Sequence, residues 1–227
     1  MKYYLIIIHY YTMNILNQYK TKDKFEVGLD EAGRGCLFGP VCVAGVSWLD
    51  KDPEPCIDIK DSKKCTEKHR LKCYDYIIEN SKAYSIQVID NEIVDKENIL
   101  KCTLNGMHLC LDEISKTNTI DEILVDGNHF HTYYSKEQDD FVDHECVIKG
   151  DNTYKSIAAA SILAKTYRDN YILKLVEDYP ELKKYDIHNN KGYGTKKHME
   201  AIETYGITQW HRKSFAPCKD KTLTLIK

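Results

Sequence analysis

Three short apolar runs, each ending at a carboxylate, constrain this chain more than any other feature. "KFEVGLD" (residues 24–30) ends on Asp30 with Glu31 directly after it, "EILVDG" (122–127) delivers Asp126, and "ECVIKG" (145–150) is followed by Asp151. Runs of this length, rich in valine, isoleucine and leucine and bounded by glycine, read as strands of a buried sheet. "PVCVAGVSWL" (40–49) reads as a strand joined to the first by a short connection, a hairpin with Asp30 and Glu31 at its mouth, and "AYSIQVID" (83–90) adds another strand. Neighbouring strands of one sheet would bring all four carboxylates to the same end.

The segments between these strands carry helical periodicity. Thr66 is a natural cap for a helix over 67–81, with Glu67 in its first turn. Leu100, Leu104, Met107, Leu111 and Ile114 recur at helical spacing and are expected on one face packed against the sheet. After Asp151 comes a long helical segment whose Ala158, Ala159, Ala160, Ser161 and Ala164 permit close approach to a sheet; Asp151 itself reads either as a site residue or as that helix's cap. A loop around "KGYGT" (191–195) precedes a short closing helix ended by Gly206. Strands alternating with helices after an initial hairpin predict a mixed α/β layered domain.

Composition narrows the partners. The net charge of −3 carries no broad nucleic-acid signature, so a polyanion would have to be held by a local basic surface or through metal ions. Nine cysteines, an odd number without a C-x-x-C pair, predict free thiols in a reducing, intracellular compartment, and a cytoplasmic protein is expected. His129 and His131 form an H-x-H that reads as a solvated loop pair, because no cysteine stands at metal-finger spacing. The apolar run at residues 5–8 is far shorter than a membrane span and lacks the context of a signal peptide, so residues 1–23 are expected to be a poorly ordered N-terminal extension.

Clustered carboxylates cannot all stay ionised without a cation. A hard divalent ion, Mg²⁺ or Mn²⁺, is the natural partner for oxygen ligands, and two such ions suit in-line displacement at phosphorus. Asp30, Glu31, Asp126 and Asp151 therefore point to hydrolysis of a phosphodiester.

The motifs that surround them add a resemblance. "GLDEAGRGCLFGPVCVAGV" (28–46), "DSKK" (61–64), "LVDG" (124–127), "IKGDNTYKSIAAASILAKTYRD" (148–169), "KGYGT" and "HRKSF" (211–215), in this order and spanning about residues 25–219, resemble ribonuclease HII, the type 2 ribonuclease H family. The resemblance implies a ribonuclease H-like mixed sheet flanked by helices with a C-terminal helical portion, a catalytic domain over 24–219 and a tail over 220–227. It implies a metal-dependent endonuclease that hydrolyses the RNA strand of RNA–DNA hybrids and incises 5′ of single ribonucleotides in duplex DNA. The ends left are 3′-hydroxyl and 5′-phosphate, as ribonucleotide and primer removal in DNA repair and replication require.

Residue by residue, Asp30, Glu31, Asp126 and Asp151 match the family's metal-binding carboxylates. Gly33, Arg34 and Gly35 match its ribonucleotide-reading glycine-arginine-glycine, where glycines let the main chain reach a 2′-hydroxyl and the arginine meets a phosphate. Tyr193 matches the tyrosine that stacks on the sugar of the following deoxynucleotide, and Lys63 a basic residue near the substrate backbone. His211 and Arg212 either face nucleic acid or lock the last helix against the domain. Cys36, Phe38 and Cys65 depart from the residues usual in the family. Arg34 separates the chain from the sister ribonuclease HIII, which usually lacks that arginine. A monomer is expected, with no membrane partner, and the final "KTLTLIK" has no sliding-clamp peptide.

Overall fold

The computed structural model of the chain describes residues 16–49, 51–52 and 57–226. The extension expected over 1–23 thus lies outside the described residues as far as residue 15. Its remainder is held to the body: Leu16 is buried, Asn17 bridges to Tyr154, and Lys20 Nζ pairs with Glu122 and Glu145, each at 2.7 Å.

A five-stranded sheet forms the centre. The strands β1 (Glu26–Ala32), β2 (Val41–Ser47), β3 (Ala83–Ile89), β4 (Glu122–Asp126) and β7 (His144–Val147) lie in the order β3-β2-β1-β4-β7. β1–β2 and β2–β3 are antiparallel, whereas β1–β4 and β4–β7 are parallel, giving the mixed sheet expected. A small hairpin of β5 (Tyr133–Ser135) and β6 (Asp140–Val142) stands apart, and the sequence pattern did not show it.

Both faces of the sheet are covered, as its continuous apolar runs require. Val27, Leu29, Val41 and Val43 pack beneath α3 (Ile99–Ser115), against Leu104, Met107, Leu111 and Ile114. The alternate residues Ala32, Ala44 and Val46 face α1 (Glu67–Asn80) and the alanines of α4 (Lys155–Asp178). Thr66 caps α1 through its hydroxyl, which accepts from the His69 amide. Arg70 on α1 pairs with Asp169 on α4 at 3.0 Å. The short α2 (Asn91–Glu97) precedes α3, and the chain closes with α5 (Ile187–Asn190) and α6 (Lys196–Tyr205) on a separate apolar cluster that includes Phe38, Tyr185 and Ile202.

Two expectations need correction. Leu100 does not join its stripe in the core but is 41% exposed, because it borders a cavity shared with Glu31, Arg34 and Asp126. Asp151 is not the cap of α4: it lies in a 3-10 turn (Gly150–Asn152), and Tyr154 occupies the cap position. No described helix is long and apolar enough to cross a membrane.

One packing detail governs the site. A Cβ at Gly28 would lie 2.4 Å from Ile157 N and Ser156 C, so only glycine lets the main chain of β1 meet the start of α4 so closely. That contact sets the distance between the strand that carries Asp30 and Glu31 and the helix that follows Asp151.

Candidate active site

Register brings the carboxylates together. β1 and β4 pair in parallel with Leu29 opposite Val125, so the next step along each strand sets Asp30 level with Asp126. Asp126 Oδ1 accepts the Gly150 amide at 2.7 Å, which ties the end of β4 to the turn that holds Asp151. From α4, Ser161 hydrogen-bonds Asp30 and lies 3.0 Å from the hydroxyl of Ser62 in "DSKK".

The electrostatics follow from this crowding. Burial, then the charges of Glu31 and Asp126, push the Asp30 carboxyl well above the usual range. Glu31 is raised by burial against the pull of Arg34, whose Nη1 lies 3.2 Å from its Oε1. Asp151 is raised by burial and by the nearby charges of Asp61 and Asp126. Asp61, a largely buried fifth carboxylate, was not singled out from the sequence, where only Lys63 of its short motif was given a role.

These carboxylates fit a divalent cation: all offer hard oxygens, and burial raises three of them above the ordinary carboxylate range, a cost that a bound cation would offset. Among the described residues no three His, Cys, Asp or Glu side chains are gathered around one point that could hold an ion. His129 and His131 stack edge to face, with ring centroids 5.2 Å apart. The eight described cysteines are free.

A cavity of about 190 Å³ joins the other candidates, being lined by Asp30, Glu31, Gly33, Arg34, Gly35, Lys63 and Tyr193. Ser62, Ser161 and Lys165 also line it, and Lys165 Nζ lies 5.6 Å from the centre of the Tyr193 ring. Asp126 lines an adjoining cavity together with Glu31 and Arg34, and Asp151 lines a third with Asp61 and Lys64. A larger cavity of about 440 Å³, at Tyr74, Tyr167 and Tyr171, contains none of these residues and offers only Asp178 as a carboxylate.

The two glycines of the "GRG" loop differ. Gly35 is exposed, and a Cβ there would meet open space. Gly33 is buried at φ +96°, and a Cβ there would lie 2.1 Å from Arg168 Nε. Arg168 is fully buried and donates to three main-chain carbonyls: Nε to Pro40 at 2.9 Å, Nη1 to Lys191 at 2.8 Å and Nη2 to Phe38 at 2.8 Å. Arg212, equally buried, donates to the Arg34 carbonyl at 2.9 Å and the Gly39 carbonyl at 3.0 Å. The Leu37 amide reaches the Gly192 carbonyl at 2.8 Å. Two buried cations thus brace the loops that carry Arg34 and Tyr193. Of the two readings left open for "HRKSF", Arg212 follows the structural one.

Comparison with known proteins agrees with this architecture. The family profile described as Ribonuclease HII matches residues 27–218. A ribonuclease HII of Bacteroides thetaiotaomicron is 44% identical over 211 residues, 93% of this chain and 99% of the relative. Among solved structures, ribonuclease H2 from Pyrococcus horikoshii OT3 superposes with a TM-score of 0.68 at 23% identity, covering 85% of this chain and 94% of that one. A Bst ribonuclease HIII in complex with Mn²⁺ superposes with a TM-score of 0.64 at 18% identity, covering 85% of this chain and 67% of that one.

Proposed function

The chain belongs to the ribonuclease HII family, and from that premise we propose that it is a divalent-metal-dependent endonuclease. It cuts the RNA strand of RNA–DNA hybrids and incises duplex DNA 5′ of a single embedded ribonucleotide. The observation that carries the proposal is the level placement of Asp30 and Asp126 on adjacent parallel strands beside a cavity lined by Arg34, Gly35 and Tyr193.

Asp30, Glu31, Asp126 and Asp151 would hold the metal, Mg²⁺ or Mn²⁺, through their carboxylate oxygens. Two ions there would supply the activation of the attacking water and the stabilisation of the leaving 3′ oxygen. The chain's own residues then select and orient the strand. The main chain at Gly35 is open to a 2′-hydroxyl, which alone tells a ribonucleotide from a deoxynucleotide. Arg34 and Lys63 meet phosphates, and Tyr193 stacks on the sugar that follows the ribonucleotide. Eight free thiols suit a reducing intracellular setting for ribonucleotide and primer removal.

The test is cleavage of an end-labelled DNA duplex containing one ribonucleotide, beside an all-DNA duplex and a continuous RNA–DNA hybrid. The proposal expects one cut 5′ of the ribonucleotide, cleavage of the hybrid, and an intact all-DNA duplex. Cleavage of the long hybrid alone would show that Arg34, Gly35 and Tyr193 do not read a junction.

A further inference from the structure

His198 and His211 touch none of the carboxylates described above, yet both rings are fully buried with their Nε2 atoms 3.1 Å apart. One end of this pair is the Thr208 amide, which donates to His211 Nδ1 at 2.9 Å, with the Thr208 hydroxyl also 2.9 Å from that nitrogen. The other end is the Tyr193 carbonyl, 2.9 Å from His198 Nδ1.

A main-chain amide can only donate and a main-chain carbonyl can only accept. His211 therefore carries its proton on Nε2 and donates to Nε2 of His198, and His198 carries its own on Nδ1 and donates to Tyr193. Among neutral rings this is the one order of protons that satisfies all three contacts. An added proton on His198 Nε2 would face the His211 N–H across the 3.1 Å gap, and one on His211 Nδ1 would face the donating Thr208 amide at 2.9 Å. Burial holds both imidazoles below their ordinary pKa, in keeping with a neutral pair.

The pair is rooted in the loop that carries Arg34. His211 bridges to Phe38, whose ring meets it edge-on at 5.0 Å, and the Arg212 amide donates to the Leu37 carbonyl at 2.8 Å. At its far end the Tyr193 carbonyl also accepts the Thr195 amide at 2.8 Å, so the pair supplies the bond that ties this carbonyl to the rest of the domain.

We propose that His198 and His211 are positioning residues, a proton-ordered pair that fixes the Tyr193 loop relative to the Gly33–Arg34–Gly35 loop so that both meet one substrate. This rests on the assignment of Tyr193 to the sugar beyond the ribonucleotide.

The test compares His198→Leu, which keeps bulk and removes the donor, with His198→Asn, whose Nδ2 can donate from the place of Nδ1. Two readouts are taken: amide NMR shifts of residues 192–195 in the free protein, and KM and kcat on the duplex with one ribonucleotide. His198→Leu should move those amides and raise KM about tenfold, the worth of one hydrogen bond, with kcat within about twofold. His198→Asn should restore both readouts in large part, although a smaller polar residue is the poorer packing substitute. In a Tyr193→Ala background, His198→Leu should add no further rise in KM. Should His198→Leu not fold, His211→Phe carries the same comparison by withholding the Nε2 proton from His198.

Unmoved amides, equal behaviour of Leu and Asn, or a KM effect that persists in Tyr193→Ala would overturn the proposal. An unchanged KM for Tyr193→Ala alone would overturn it through the role given to Tyr193, which the free-protein amides distinguish from a failure of the pair itself.

Discussion

Replacing Gly28 with alanine would test whether the approach of α4 to β1 sets the catalytic geometry. The added Cβ would stand 2.4 Å from Ile157 N and Ser156 C, where ordinary contact begins at 3.4 Å, so the helix start has to retreat by 3.4 − 2.4 = 1.0 Å. The obstructing atoms are main chain and cannot rotate aside. Overpacking of a core costs about 1–3 kcal/mol, and this site belongs at the upper end. For a domain of this size, about 3 kcal/mol lowers Tm by roughly 6–12 °C. The same retreat moves Ser161 and Lys165 on α4 away from Asp30 and Glu31 on β1, and a misplacement of about 1 Å costs on the order of 100-fold in rate. The assay is a thermal melt together with initial cleavage rates measured well below the lower Tm. A Tm within about 2 °C of wild type and a rate within about twofold would refute the reasoning, because both magnitudes follow from that one displacement.

Asp126→Asn should keep the fold and lose cleavage: the amide oxygen still accepts the Gly150 N–H, and the charge that repels Asp30 and Asp151 is gone. Melts without metal should show the variant at least as stable as wild type, and added Mn²⁺ should raise only the wild-type Tm appreciably; an equal rise in both would remove Asp126 from the metal site. Arg34→Ala should weaken substrate binding by ~1.5–3 kcal/mol with little change in stability, since the side chain is half exposed; equal affinity in filter binding would discount it. In acid the His198–His211 pair should destabilise the fold. His211 is held down to about 3 when folded, against about 6.5 when unfolded, so its stabilisation is complete above pH 6.5 and drains away as pH falls toward 3. By pH 5 the loss is about 2 kcal/mol, with His198 adding to it in the same direction; Asp186 and the Tyr185 ring are the polar neighbours that modulate it. Asp30, Glu31 and Asp151 act with the opposite sign, so the readout is the difference between wild type and His211→Gln in urea melts at pH 7 and pH 5. A constant difference would count against a neutral pair.

The parts of the fold legible in the sequence are those with local period. The β1–β2 hairpin, α1 with its Thr66 cap, β3, β4 and the alanine-rich α4 each carry their own pattern. The elements that escaped, α2, the β5–β6 hairpin and α5, run three to seven residues, too short for a period to stand out from a loop. Leu100 shows the limit of a helical stripe: spacing fixes the face a residue shares, but not where that face opens onto a cavity, as it does here beside Glu31, Arg34 and Asp126. The carboxylates were visible because each follows an apolar run. Arg168 and His198 were not, because arginine in a sequence reads as surface charge; for Arg212 and His211 the sequence left two readings open, and only the folded chain shows the guanidinium groups spent on main-chain carbonyls. Gly33 gained a second reason in the same way, since its missing side chain makes room for Arg168.

The central claim is that Asp30, Glu31, Asp126 and Asp151 form a metal-dependent cutting site that recognises a single ribonucleotide. The most direct measurement is cleavage of the one-ribonucleotide duplex by protein stripped with chelator, then by the same protein with Mg²⁺ or Mn²⁺ restored, with the cut mapped to the nucleotide. The account predicts no cleavage after stripping, full return with the ion, and a single cut 5′ of the ribonucleotide that leaves an extendable 3′-hydroxyl. Cleavage that survives stripping, or a restored cut that ignores the ribonucleotide, would contradict it.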